Sequence, residues 1–181
     1  MKNLFNFNDL FTLDLANNHL GSVEHGTNVI NELGAIVNEL DVKAAIKFQF
    51  RDTLDTFIHP DFKDRTDVKH IPWFVQTYMD KKGYEELIQV IKNNNMLVMS
   101  TPFDNASVDL IDSLDVDIIK IASCSADDYP LIKRICQSDK PVIISTAGLN
   151  LSEIDKAVGM LREYNMDFAI MHCVALYPTP D

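Results

Sequence analysis

Two lysines stand inside runs that are otherwise apolar: Lys47 in AAIKFQF and Lys120 in IIKIAS. An ammonium in an apolar strand is costly unless its charge is matched. Each is therefore read either as half of a structural ion pair or as part of a site. The recurrence in two separate runs favours a site. Two lysines at one mouth repel, and an anionic ligand, a phosphate or a carboxylate, relieves that repulsion. Gln49, two residues beyond Lys47, points to the same side of its strand. Asp14, between Leu13 and Leu15, pairs with one of the lysines, acts as a general base or ligates a metal. Ser100-Thr101-Pro102, Ser123 and Ser145-Thr146 bring hydroxyls and backbone N–H groups to three strand ends, and such groups bind phosphate when helix N-termini follow. His19 and His172 lie in different runs without an evident third ligand, which suits internal hydrogen bonding better than a metal. Cys124 and Cys173 read as small core residues.

The elements that must carry these residues are short apolar runs at 11–16, 44–50, 96–101, 118–123, 141–146 and 167–173. Several are apolar at nearly every position, the pattern of parallel strands covered on both faces. Helical stripes separate them. Val23, Val29, Ile30, Leu33, Ile36, Val37 and Leu40 form one, with Ser22 as its N-cap. Others run over 83–94, 105–114, 129–136 and 151–164, the last capped by Asn150 or Ser152. Strand then helix, repeated, gives a parallel α/β fold. No G-x-G-x-x-G follows the first strand, which removes support for a dinucleotide-binding open sheet. Polar and charged residues at the C-terminal ends of the strands predict instead a (β/α)8 TIM-barrel type, with about six of its eight units present. The interval 51–82 shows no strand and contains Pro60 and Pro72. It reads as a long functional loop over the barrel mouth.

The 181 residues suffice for a single domain with a sizeable core. A net charge of −11 excludes nucleic acid and an anionic membrane surface as partners, since both require clustered cations. No apolar run approaches the ~20 residues of a transmembrane helix, and the first residues do not read as a secretory signal. Three cysteines without ligand spacing point to a reducing, cytoplasmic setting.

Taken in order, six stretches resemble the N-acetylneuraminate (sialic acid) synthase family. They are Asn17-Asn18-His19-Leu20-Gly21, Ile46-Lys47-Phe48-Gln49, Ser100-Thr101-Pro102-Phe103-Asp104, Ile119-Lys120-Ile121-Ala122-Ser123, Ile144-Ser145-Thr146-Ala147-Gly148, and His172-Cys173 through Tyr177-Pro178-Thr179-Pro180. The resemblance implies condensation of phosphoenolpyruvate with an N-acetylmannosamine-type amino sugar to give a nine-carbon sialic-type acid. It implies a divalent metal, manganese or magnesium, whose ligands lie beyond this chain. It also implies a barrel followed by an antifreeze-like domain and work as a homodimer. Lys47, Thr101, Lys120, Ser123 and Ser145 match the family's phosphoenolpyruvate positions, and Gln49 and Tyr177 match positions lining the substrate pocket.

The departures from the family pattern are specific. Asp14 replaces the usual Glu, Ala16 a usual Gly, Ser125 a usual Glu and Ala175 a frequent Asn. They touch the acceptor-sugar and acid–base positions more than the phosphoenolpyruvate side. The chain ends at Asp181, so the expectation is an incomplete barrel, prone to self-association through open strand edges and inactive alone. Two other readings stay open: a Schiff-base aldolase with Lys47 or Lys120 as nucleophile, and a non-catalytic partial barrel that serves as a binding module.

Overall fold

The computed structural model describes residues 4–51, 58–62 and 64–176. Six strands appear: β1 (Leu10–Ala16), β2 (Lys43–Phe50), β3 (Leu97–Pro102), β4 (Ile118–Ile121), β5 (Val142–Ser145) and β6 (Phe168–Met171). All neighbours are parallel, and the spatial order equals the chain order. A doubly wound sheet reverses its order at a switch point. Here each strand adds on the same side, which curls the sheet into a half-barrel.

The helices are α1 (Val23–Glu39), α2 (His70–Gln76), α3 (Lys81–Asn93), α4 (Asn105–Ser113), α5 (Tyr129–Ile135) and α6 (Leu151–Glu163). Their starts are chemically marked. Ser22, Asp80, Asp104, Asp128 and Asn150 each accept a backbone N–H in the first turn of the helix that follows. Asn150 also forms a reciprocal capping box with Glu153. Among the described residues no helix is long and apolar enough to cross a membrane.

The two sheet faces bury different things. Outward-facing Leu15, Ile46, Phe48, Phe50, Val98 and Ile119 pack against apolar residues of the helices. The inner face holds a smaller cluster of Ala45, Met99, Ile118 and Ile143, closed from below by Phe5 and Phe7. That plug is tied down at both sides: the Phe5 N–H donates to Asp167 Oδ2 at 3.2 Å, and the Lys43 ammonium lies over the Phe5 ring. The lower half of the half-barrel is therefore packed, and the upper half of the inner face is left to polar residues.

The interval expected to be a long functional loop contains regular structure. It contains a 3-10 turn at Pro60–Phe62, helix α2 and the first residues of α3. Pro72 falls in the first turn of α2, where a missing N–H costs nothing. A proline there starts a helix rather than excluding one. The cysteine expectation needs a larger correction. Cys124 is exposed and Cys173 half-buried, while Cys136, at the end of α5, is the buried one. Cys124 sits in a 3-10 turn, Ser123–Ser125, which follows β4 where a longer strand was expected.

Candidate active site

The strand period places Lys47 and Gln49 together on the inner face of β2. Register then sets their neighbours: Asp14 of β1 stands opposite Lys47, and Thr101 of β3 opposite Gln49. Asp14 Oδ1 lies 3.0 Å from Lys47 Nζ, so of the two lysines it pairs with Lys47. The β1–β2 register shifts immediately after this pair, between Asp14 and Ala16. Ala16 takes a left-handed φ of 48°. That turn swings the chain into Asn17 and Asn18 at the rim, and a position of this kind favours glycine.

Lys120 projects from the inner face of β4 and is 8% exposed. Its Nζ donates to Ser145 Oγ at 2.6 Å and to the Ile121 carbonyl at 2.9 Å. Burial, followed by the charge of Lys47, pushes its pKa down to about 8. The two lysines therefore do share one field, as the sequence suggested. Among the described residues only Lys47 has a carboxylate partner; Lys120 is held by neutral oxygens. The upper inner face is a cationic patch on an otherwise acidic protein.

The hydroxyl candidates separate on inspection. Thr101 is buried on the inner face beside Gln49, Ser145 accepts from Lys120, and Ser123 begins the turn just above Lys120. Ser100 faces the outer core instead, opposite Phe48, and its Oγ has no hydrogen-bond partner among the described residues. Thr146 donates to the Met171 carbonyl at 3.0 Å, tying β5 to β6. Tyr177 lies outside the described residues.

His19 is fully buried with its ring edge-on to Tyr84 and Phe48. Its Nδ1 accepts the Gly21 N–H at 3.1 Å, and burial pushes its pKa down to about 4, so it is neutral. His172 is exposed after β6. Among the described residues no three His, Cys, Asp or Glu side chains converge on a point. These residues do not fit a divalent metal, and His19 is a packed core histidine.

The sequence reading missed Arg51. Its guanidinium lies over the rings of both Phe74 of α2 and Phe103, which follows β3, 4.1 Å from each ring centroid. Its Nη2 donates to Gln49 Oε1 at 3.1 Å. Burial lowers its pKa to about 10, which leaves it charged. Arg51 lies two residues after Gln49, so the same spacing that paired Lys47 with Gln49 was the available signal. Together with Asn17, Asn18, Gln49, Trp73 and Phe74 it lines a cleft of about 410 Å³ at the barrel mouth. Gly21 lets the end of α2 approach: a Cβ there would meet the Gln76 carbonyl oxygen at 3.0 Å and, just past the helix, the Tyr78 carbonyl oxygen at 2.9 Å.

Residues 39–181 match the model of the NeuB family. The crystal structure of spore coat polysaccharide biosynthesis protein E from Chromobacterium violaceum superposes with a TM-score of 0.91. The identity is 46%, over 96% of this chain and 51% of that one. N-acetylneuraminic acid (sialic acid) synthetase from Leptospira borgpetersenii, solved with citrate, gives 0.80 at 25% identity, over 96% of this chain and 56% of that one. The N,N'-diacetyllegionaminic acid synthase of Campylobacter jejuni is 37% identical over 105 residues, 56% of this chain and 31% of that relative. The chain thus spans about half of the solved neighbours and under a third of that curated relative. A half-barrel with two inward lysines and a family match over most of its length leads to one assignment: this chain belongs to the NeuB family.

Proposed function

We propose that this chain supplies the phosphoenolpyruvate-binding half of a synthase that joins phosphoenolpyruvate to an N-acetylmannosamine-type amino sugar, giving a nine-carbon sialic-type acid. The observation that carries this is the pairing of two inward lysines on one face. Lys47 is balanced by Asp14, whereas Lys120 donates to Ser145 and has its pKa lowered by burial first and by its neighbour's charge second. Such a patch is costly when empty and relieved by a dianion or trianion. Lys47 and Lys120 hold the phosphate and carboxylate, with the hydroxyls of Thr101, Ser123 and Ser145 as hydrogen-bond partners. Fixing the anion there aims its methylene carbon at the barrel mouth, where an aldehyde carbon of the sugar can meet it: the enol π pair forms the new C–C bond, the aldehyde oxygen takes up a proton, and water adds at C2 as inorganic phosphate leaves. Asp14, whose side chain is 56% exposed beside Lys47, is the carboxylate placed to exchange a proton in that step. The cleft around Gln49 and Arg51 receives the sugar.

Isothermal titration tests the reading. Saturable binding of phosphoenolpyruvate is expected, and its absence from folded protein would contradict the proposal. One observation favours a second reading: a lysine shifted down to about 8 is also a competent nucleophile. Borohydride trapping with pyruvate separates the two, since only a Schiff-base aldolase leaves a covalent adduct on Lys120.

A further inference from the structure

We propose that Arg51 is a positioning residue for Gln49, turning the Gln49 amide so that its NH2 faces the cleft as a donor that reads an oxygen acceptor on the amino sugar. The inference rests on the function proposed above and names what the sugar half of the site recognises.

Arginine carries donors only, so the Gln49 atom that faces Arg51 Nη2 at 3.1 Å is the carbonyl oxygen. The chemistry of the pair thereby settles the amide orientation. The guanidinium cannot easily swing away, because it lies over the rings of both Phe74 and Phe103, 4.1 Å from each centroid. Stacking fixes the plane of the fork, and the fork fixes the amide. The opposite end of that amide, the NH2, makes no hydrogen bond among the described residues, and Gln49 lines the cleft. Two donors are therefore presented to whatever occupies it. A hydroxyl or acetamido carbonyl oxygen satisfies them, and a ligand offering only N–H groups there does not. Trp73, 39% exposed on the same cleft, offers an aromatic face to the sugar's C–H bonds.

The test is the affinity for N-acetylmannosamine and, separately, for phosphoenolpyruvate, measured by titration on the full chain. In Q49E the contact to Arg51 is kept and strengthened, but the donor becomes an acceptor. Sugar affinity is expected to fall at least tenfold. In R51M the amide is released, and sugar affinity is expected to fall at least fivefold more than phosphoenolpyruvate affinity. R51K, which still offers a donor to Gln49 Oε1, is expected to restore part of the loss. A Q49E variant that binds the sugar like wild type would overturn the donor role. An R51M variant that does so would overturn the positioning role, and if R51M fails to fold, Q49E and R51K decide. Wild-type protein that binds phosphoenolpyruvate but not N-acetylmannosamine would sink this inference alone, whereas binding of neither would sink the proposed function with it.

Discussion

Asp14 Oδ1 and Lys47 Nζ stand 3.0 Å apart on adjacent parallel strands, with the lysine side chain 12% exposed and the aspartate 56% exposed. The pair is lopsided: the cation is inside and its counter-charge sits at the open side. D14N therefore leaves Lys47 without its carboxylate and adds to the positive field at Lys120. Because the aspartate is more than half exposed, the stability cost is at most about 1 kcal/mol. The larger effect is on ligands. Phosphoenolpyruvate is expected to bind D14N several-fold more tightly. Isothermal titration of both proteins reads the change, and equal or weaker binding by D14N would contradict it.

Lys120 gives a pH prediction with a definite sign. Its folded pKa is about 8 against an ordinary 10.5, so the folded chain loses this proton before the unfolded chain does. Below pH 8 both states are charged and the full penalty is present, on the order of 3 kcal/mol. Between about 8 and 10.5 the unfolded state binds more protons, and this group's contribution to stability rises with pH. K120M is expected to be more stable than wild type at pH 7, by about 2 kcal/mol after the lost Ser145 contact is allowed for. That advantage shrinks above pH 8. Denaturant melts of both proteins across pH 7–10 check it. Anion binding follows the opposite course: wild-type affinity for phosphoenolpyruvate falls as pH rises through 8.

Ala16 occupies a left-handed turn at the point where the β1–β2 register shifts. An alanine in this conformation costs roughly 1 kcal/mol relative to glycine. A16G is therefore expected to raise stability by up to about 1 kcal/mol, a gain partly offset by the freedom glycine adds to the unfolded chain. A thermal melt reads the net change. A loss of stability would mean that the turn is not strained.

Much of this was legible in the residues because parallel strands covered on both faces leave unbroken apolar runs. Against such runs Lys47 and Lys120 stood out, and the period of two brought Gln49 to Lys47's side. What the runs could not reveal was phase at the strand ends. Ser100 and Thr101 look equivalent in the chain, yet register sends Thr101 inward and Ser100 outward. Nor could they settle Asp14's partner, since two lysines competed and only the β1–β2 pairing decides. Arg51 escaped for a further reason. Its environment is assembled from Phe74 and Phe103 on separate elements, and α2 lay inside an interval read as one long loop. The Cys124 error has the same root: β4 ends at Ile121, and the chain turns outward at once.

Ser145 offers the next test. It accepts from a buried ammonium whose other partner among the described residues is the Ile121 carbonyl. S145A removes a charge-assisted hydrogen bond, worth about 1.5–3 kcal/mol when fully buried. The Lys120 pKa is expected to drop further, and phosphoenolpyruvate affinity at pH 7.5 to fall about tenfold or more. S145T, which keeps the hydroxyl, is expected to retain most of the binding. Equal losses in both variants would place the effect in packing rather than in the hydrogen bond.

The most direct test of the central claim is a thermal-shift titration with phosphoenolpyruvate at pH 7 on wild type, K47A and K120A. A concentration-dependent rise in melting temperature in wild type, lost in both variants, is the predicted result. A rise that survives in either variant, or no rise in cooperatively folded wild type, would contradict the assignment of these two lysines to the anion.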